Sequence, residues 1–205
     1  MKTHLNLYVF VSVLFLVGGM FGALLFHALT FEQQQDLTAE LQRYMDISGT
    51  GIGMSETEIF WNRFFFHMKW IILIGVLGVT VIGSPGILIL NFLKGTLVGF
   101  SVGAIVSEYA WKGILIAMAA VAPQNVVIVP AIIITSGAAI SFSLFLIKHR
   151  LLQKGGELMP QLGSLASTVI LMLLLLAGVS LFEAYVSPSF ISWAVSLLEP
   201  PAPLA

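Results

Sequence analysis

Between residues 5 and 29 the chain carries no Asp, Glu, Lys or Arg, and four more long apolar runs follow at 65–82, 87–106, 126–147 and 162–181. About 20 apolar residues in a helix cross a bilayer core, so each run is long enough to span one. Inside hydrocarbon every backbone N–H and C=O must be bonded within the protein, which makes a helix the natural state of such a run. The fold expected is an all-α, polytopic membrane helix bundle with five transmembrane helices, forming one integral membrane domain over residues 1–205. Composition excludes the soluble alternative. Charged residues make up 9% of the chain and the mean hydropathy is +1.00, whereas a soluble domain carries roughly 25% charged residues. The surface must therefore face a lipid bilayer. A net charge of -1 supplies no basic face for nucleic acid. With no cysteine there is no disulfide, thiolate metal site or thiol nucleophile.

The first run stands behind Lys2 and is longer than the roughly 7–15 apolar residues of a signal peptide, and Phe26-His27-Ala28-Leu29 is a poor cleavage site. It reads as a retained span. The outer loop, residues 30–64, is the sizeable polar segment, with Glu32, Asp36, Glu40, Arg43, Asp46, Glu56 and Glu58. Within it residues 34–44 suit a surface helix, Gly49 to Gly53 make a break, and Ser55 with Glu58 has the spacing of a capping box. Some thirty residues are too few for an enzyme domain, which needs about 50. Gly83-Ser84-Pro85-Gly86 reads as the turn between the second and third spans. The apolar stretch 113–147 would reach roughly 50 Å as one helix. It therefore divides into a re-entrant or interfacial half-helix at 109–121, a turn at Ala122-Pro123-Gln124-Asn125, and the fourth span.

Lysine and arginine in short loops set orientation. Lys2, and Lys148, Arg150 and Lys154 after the fourth span, belong on the cytoplasmic side, separated by four crossings. The N-terminus is then cytoplasmic, and loop 30–64 and the C-terminus are extracytoplasmic. Arg63 and Lys69 near the outer end of the second span run against that bias.

Gly95, Gly99 and Gly103, continued by Ser107, recur every four residues on one face of the third span. Such a face lets another helix approach closely. That helix lies either in the same chain or in a second copy, as in a homo-oligomer. Gly18 and Gly22 give the first span a shorter version. Gly99-Phe100-Ser101-Val102-Gly103 matches the serine-hydrolase elbow, but that motif needs a strand-to-helix turn with a histidine and an acid at hand. Here it lies in an apolar helix, and His4, His27, His67 and His149 fall at span ends. Pro123, Gln124, Asn125 and Pro130 form a broken-helix turn. Its amides either satisfy freed backbone groups or line a path, as in transporters. Lys94 is expected to snorkel to the cytoplasmic face. Phe182, Glu183 and Tyr185 suit an interface anchor or a partner contact. No metalloprotease, phosphate-loop or dinucleotide motif occurs, so no catalytic, cofactor-binding or metal residues are assigned.

Several stretches resemble stage II sporulation protein M of endospore-forming bacteria. They are Tyr8-Val9-Phe10-Val11-Ser12, Phe92-Leu93-Lys94-Gly95, Val98-Gly99-Phe100, Trp111-Lys112-Gly113, Pro123-Gln124-Asn125, Ile140-Ser141-Phe142-Ser143-Leu144 and Leu181-Phe182-Glu183-Ala184-Tyr185-Val186-Ser187-Pro188. They run in order over nearly the whole chain, and the outer loop matches least. The resemblance implies a non-enzymatic scaffold in the septal membrane. It would hold two extracytoplasmic peptidoglycan hydrolases, stage II sporulation proteins D and P, during septal wall remodelling and forespore engulfment. The competing expectation is a subunit of a membrane transport permease, with Pro123 to Asn125 lining the path.

Overall fold

A computed structural model describes residues 2–50, 55–151, 158–187 and 189. The Gly51–Gly53 part of the glycine-rich break, Lys154 and the tail beyond Ser189 lie outside them. The described residues form six helices in order: α1 (Lys2–His27), α2 (Phe31–Thr50), α3 (Glu56–Gly78), α4 (Gly83–Ala120), α5 (Ala122–Leu151) and α6 (Leu158–Tyr185). No strand occurs among the described residues. Among the described residues five stretches are long and apolar enough to cross a membrane: Leu5–His27, Glu56–Gly78, Gly83–Glu108, Ala122–Lys148 and Leu158–Tyr185. Three of the hydroxyls inside these helices turn back on their own backbone. Ser12 donates to the Tyr8 carbonyl (2.8 Å), Thr135 to Ala131 (2.8 Å) and Ser141 to Gly137 (2.7 Å), which satisfies them without an outside partner.

Capping chemistry sets the starts of α2 and α3. Thr30 and Gln33 exchange side-chain and backbone bonds, and the Gln34 amide reaches back to the Phe26 and Leu29 carbonyls, tying α2 to the end of α1. α2 is accordingly longer than the surface helix expected at 34–44. Ser55 and Glu58 form the reciprocal pair at the head of α3. The second span therefore begins nine residues earlier than the apolar run at 65, at Glu56.

Prolines read as turns lie instead in the opening turns of helices. The chain reverses at residues 79–82, and Pro85 sits in the first turn of α4, as Pro123 does in α5 and Pro160 in α6. A proline costs little there, because the first N–H groups of a helix have no intrahelical acceptor. The interruption expected at residues 122–125 is correspondingly a bend. Val121 keeps helical backbone (φ -109°, ψ -39°), and bonds from Val121 N–H to Ala117 and from Asn125 N–H to Val121 continue the ladder on either side.

The reversal after the third span occurs earlier. On a straight helix residues eight apart stand about 12 Å apart, yet a Cβ on Gly113 would lie 2.8 Å from Val106 Cα and 2.5 Å from the Ile105 carbonyl oxygen. α4 thus doubles back between Val106 and Gly113, and its last residues lie against the end of its own membrane span. This fold-back is the extra half-helix.

The glycine face of α4 is filled by α1. A Cβ on Gly95 would strike the Phe15 carbonyl, one on Gly99 the Gly19 carbonyl, and one on Gly103 would lie 3.0 Å from Ala23 Cα. From the other side Gly18 and Gly22 abut the Phe92 and Thr96 carbonyls. Contacts advance in the same direction along both helices, so α1 and α4 run parallel. Ser107 is exposed and outside this seam. The remaining core lies among α3, α4, α5 and α6, around Ile71, Ile74, Ile87, Ala139 and Leu176, with Val11 of α1 packed into it.

Candidate functional site

Charged groups meet inside this apolar core. Arg63, His67 and Trp70 share one face of α3, being spaced by four and three residues. On α4 Asn91 and Lys94 share another, and on α6 Ser180 and Glu183 do the same. At the centre is the Glu183 carboxylate, whose side chain is 3% exposed. His67 Nε2 lies 3.2 Å from its Oε1 and 3.4 Å from its Oε2. Arg63 Nε lies 3.7 Å from Oε2, with the guanidinium side chain 38% exposed. Lys94 is buried, its ammonium 4.8 Å from the Phe66 ring centroid and 5.1 Å from that of Trp70. Aromatic faces attract a desolvated cation by up to about 2 kcal/mol. Below Lys94, Asn91 donates to the Ile87 carbonyl (2.8 Å) and to Ser136 Oγ (2.7 Å).

Three expectations are corrected here. Lys94 does not snorkel to a membrane face. It is near the middle of the Gly83–Glu108 span, where two rings and the nearby carboxylate make burial tolerable. His67 is likewise near the middle of α3 rather than at a span end, with the Glu183 carboxyl group against it. Glu183 points inward and is unavailable as a partner contact, whereas Tyr185 is exposed. An ionised carboxylate in hydrocarbon must be paired, and that requirement, rather than anchoring, explains its place. A lone Lys in one uncharged run and a lone Glu at the end of another were the legible signal. The i, i+4 pair Arg63 and His67 was the third part of it.

Other candidates lie apart. Ser101 is exposed and donates to the Leu97 carbonyl at 3.0 Å. Ser180 Oγ and His67 Nδ1 are buried and bonded neither to each other nor to another group among the described residues. The cluster therefore makes no contact between a hydroxyl nucleophile and a base. Among the described residues no group of three or more His, Cys, Asp or Glu could hold a metal ion. Asn125 donates its side-chain amide to the Val121 carbonyl at 2.7 Å, a backbone-satisfying bond at the α4–α5 bend. Gln124 is half-buried beside it, and Pro130 is interior to α5.

What the arrangement does chemically is to tie α3 to α6 through the Glu183 carboxyl group and α4 to α3 through Lys94. α6 supplies the carboxyl group, α3 two nitrogen groups and two rings, and α4 the ammonium that lies over those rings. A family model described as stage II sporulation protein M matches residues 11–188. No curated protein and no solved structure matches the chain.

Proposed function

The chain belongs to the stage II sporulation protein M family, and from that premise we propose that it is a non-enzymatic membrane scaffold for peptidoglycan hydrolases. It anchors stage II sporulation proteins D and P, or their counterparts, at the septum and in the engulfing membrane. There the hydrolases remodel septal wall as one membrane migrates around the forespore. The observation that carries the reading is the extent of the family match, which takes in the spans, α2 and the buried cluster alike. Two features support it. The ionisable groups within the bundle are engaged with one another and with aromatic rings, which suits a rigid platform. The glycine seam is filled by α1, so partners meet the scaffold on other surfaces. Those are the exposed side of α2, around Asp36 and Leu37, and Phe182 with Tyr185 at the end of α6. With the N-terminus in the cytoplasm, both surfaces lie on the wall side.

Photocrosslinkers at Leu37 and Tyr185, in membranes of sporulating cells, test this directly. Recovery of extracytoplasmic wall hydrolases is the expected result. If only lipid and cytoplasmic proteins are captured at both positions, the reading fails.

A transport subunit is the second reading, favoured by the buried ionisable side chains of Lys94, His67 and Glu183. It requires solute flux in proteoliposomes that substitution of Gln124 and Asn125 abolishes while assembly is retained.

A further inference from the structure

Lys69 carries its charge on the wrong side of a spanning helix. It follows His67 by two residues and so lies on nearly the opposite face of α3. His67 turns inward to Glu183, whereas Lys69 is exposed and makes no ion pair among the described residues. It is deep in the Glu56–Gly78 span, thirteen residues from one end and nine from the other, about 20 Å and 14 Å at the rise of an α-helix. Lys69 therefore does not stand at the outer end of the span, where the sequence suggested it. A lipid-facing ammonium at that depth is among the costliest groups a spanning helix can carry, and such groups almost always have a partner. Snorkelling carries it only across more apolar surface, past Phe65 in one direction and past Ile72 and Val76 in the other, all three exposed.

The same face of α3 borders a trough. Ile72, Val76 and Val79 of α3 and Leu162, Ala166 and Val169 of α6 line a cavity of about 220 Å³ whose lining residues are all apolar. Its walls meet at Gly75, where a Cβ would lie 3.2 Å from Val169 Cγ2. Ile72 and Val76 follow Lys69 by three and seven residues, so the charge stands on their face, at the end of the trough toward Glu56. The two features together narrow the occupant. A lipid tail fills the trough and leaves the ammonium unpaired. A second copy of this chain has no acid to offer. Within the five spans the acids are Glu56, Glu58 and Glu108 at span ends, and Glu183, buried against His67. Twofold pairing through this face would also set Lys69 against Lys69. A helix of another protein, apolar along its length with one Asp or Glu at mid-depth, meets both requirements.

We propose that this face of α3 is the seat of a partner's transmembrane helix, whose mid-span carboxylate pairs with Lys69 while its apolar side chains fill the α3–α6 trough. The small residues Gly75 and Ala166 let the incoming backbone approach closely. The charge also selects, because a helix without an acid leaves the ammonium in lipid. The seat is across α3 from the buried cluster, so a partner binds there without breaking the contacts of His67. This does not rest on the scaffold reading. It concerns a contact at membrane depth and stands or falls apart from what is captured at Leu37 and Tyr185.

The test uses the full chain in phosphatidylcholine bilayers and, as probe, a synthetic spanning peptide of about 23 leucines and alanines with one central Asp. The chain has no cysteine, so Thr80→Cys takes a donor dye and the peptide carries the acceptor. The Asp peptide is expected to bind roughly three- to thirtyfold more tightly than its Asn counterpart, the range that one interhelical polar contact contributes in a bilayer. Lys69→Met should abolish that preference. It should leave the unfolding temperature of the chain alone unchanged or higher, because no ion pair within the described residues is lost. Lys69→Asp should transfer the preference to a peptide with a central Lys. A peptide cysteine set as far from the Asp as Val76 is from Lys69 should form a disulfide with Val76→Cys. Equal binding of the Asp and Asn peptides, or a preference that survives Lys69→Met, overturns the proposal. So does a disulfide between two Val76→Cys chains in place of one to the peptide. Selective retention of anionic lipid that Lys69→Met removes, with no preference among the peptides, would assign Lys69 to a headgroup and overturn it too.

Discussion

Glu183 is the residue on which most of the interior chemistry converges. Removing its carboxylate leaves Lys94 buried and strips His67 and Arg63 of their shared acceptor. Breaking a buried charge pair from one side costs about 3–5 kcal/mol, so Glu183→Ala is expected to lower stability in mixed micelles by that order. Lys94→Met in the same chain should restore part of the loss, because the orphaned cation goes with it. A double-mutant cycle reads that coupling, and purely additive effects would show that Lys94 and Glu183 do not sense each other. Ser101→Ala, by contrast, removes only a bond to the residue's own helix and should leave both stability and sporulation unchanged, as a complementation assay would show.

At the scale of the element, the α1–α4 seam depends on missing side chains. Gly99→Val would drive atoms into the Gly19 backbone, which cannot rotate away as a flexible side chain can. Overpacking of this kind costs about 1–3 kcal/mol, and thermal unfolding in detergent should show a loss at the upper end of that range. Gly178 on α6 is the internal control. Nothing lies within 4 Å of a Cβ there, so Gly178→Ala should be neutral or slightly stabilising through helix propensity. The α4 fold-back has the same dependence at Gly113, where a valine would meet Ile105 and Val106 and push the half-helix away from the span. A pair of spin labels on the two arms of the fold-back would report the separation as a lengthened distance.

Over the whole molecule, five crossings put the two ends of the bundle on opposite sides, and the absence of cysteine makes that directly measurable. Single cysteines at Glu32 and Glu56, both exposed, should react with a membrane-impermeant thiol reagent from one side. Thr80→Cys, in the exposed α3–α4 turn, should react from the other. Labelling of all three from the same side would break the five-crossing arrangement. In the proposed orientation the first two are reached from the wall side.

The number and kind of the spans was legible because hydrocarbon imposes it locally. An uncharged run of twenty residues has to close its own hydrogen bonds, whatever lies beside it, and the Ser55–Glu58 cap is set by neighbours three residues apart. Span ends were less legible. Pro85 and Pro123 stop one helix and begin the next with equal ease, and Glu56 enters α3 through its cap ahead of the apolar run. The glycines of α4 announced a close neighbour without saying which, and only the fold shows α1 in that place. Lys94, His67 and Glu183 were each visible alone as an oddity near a span. What they do was decided by tertiary structure, because a charge in lipid is defined by its partner, and here the acid lies 116 positions from its histidine along the chain.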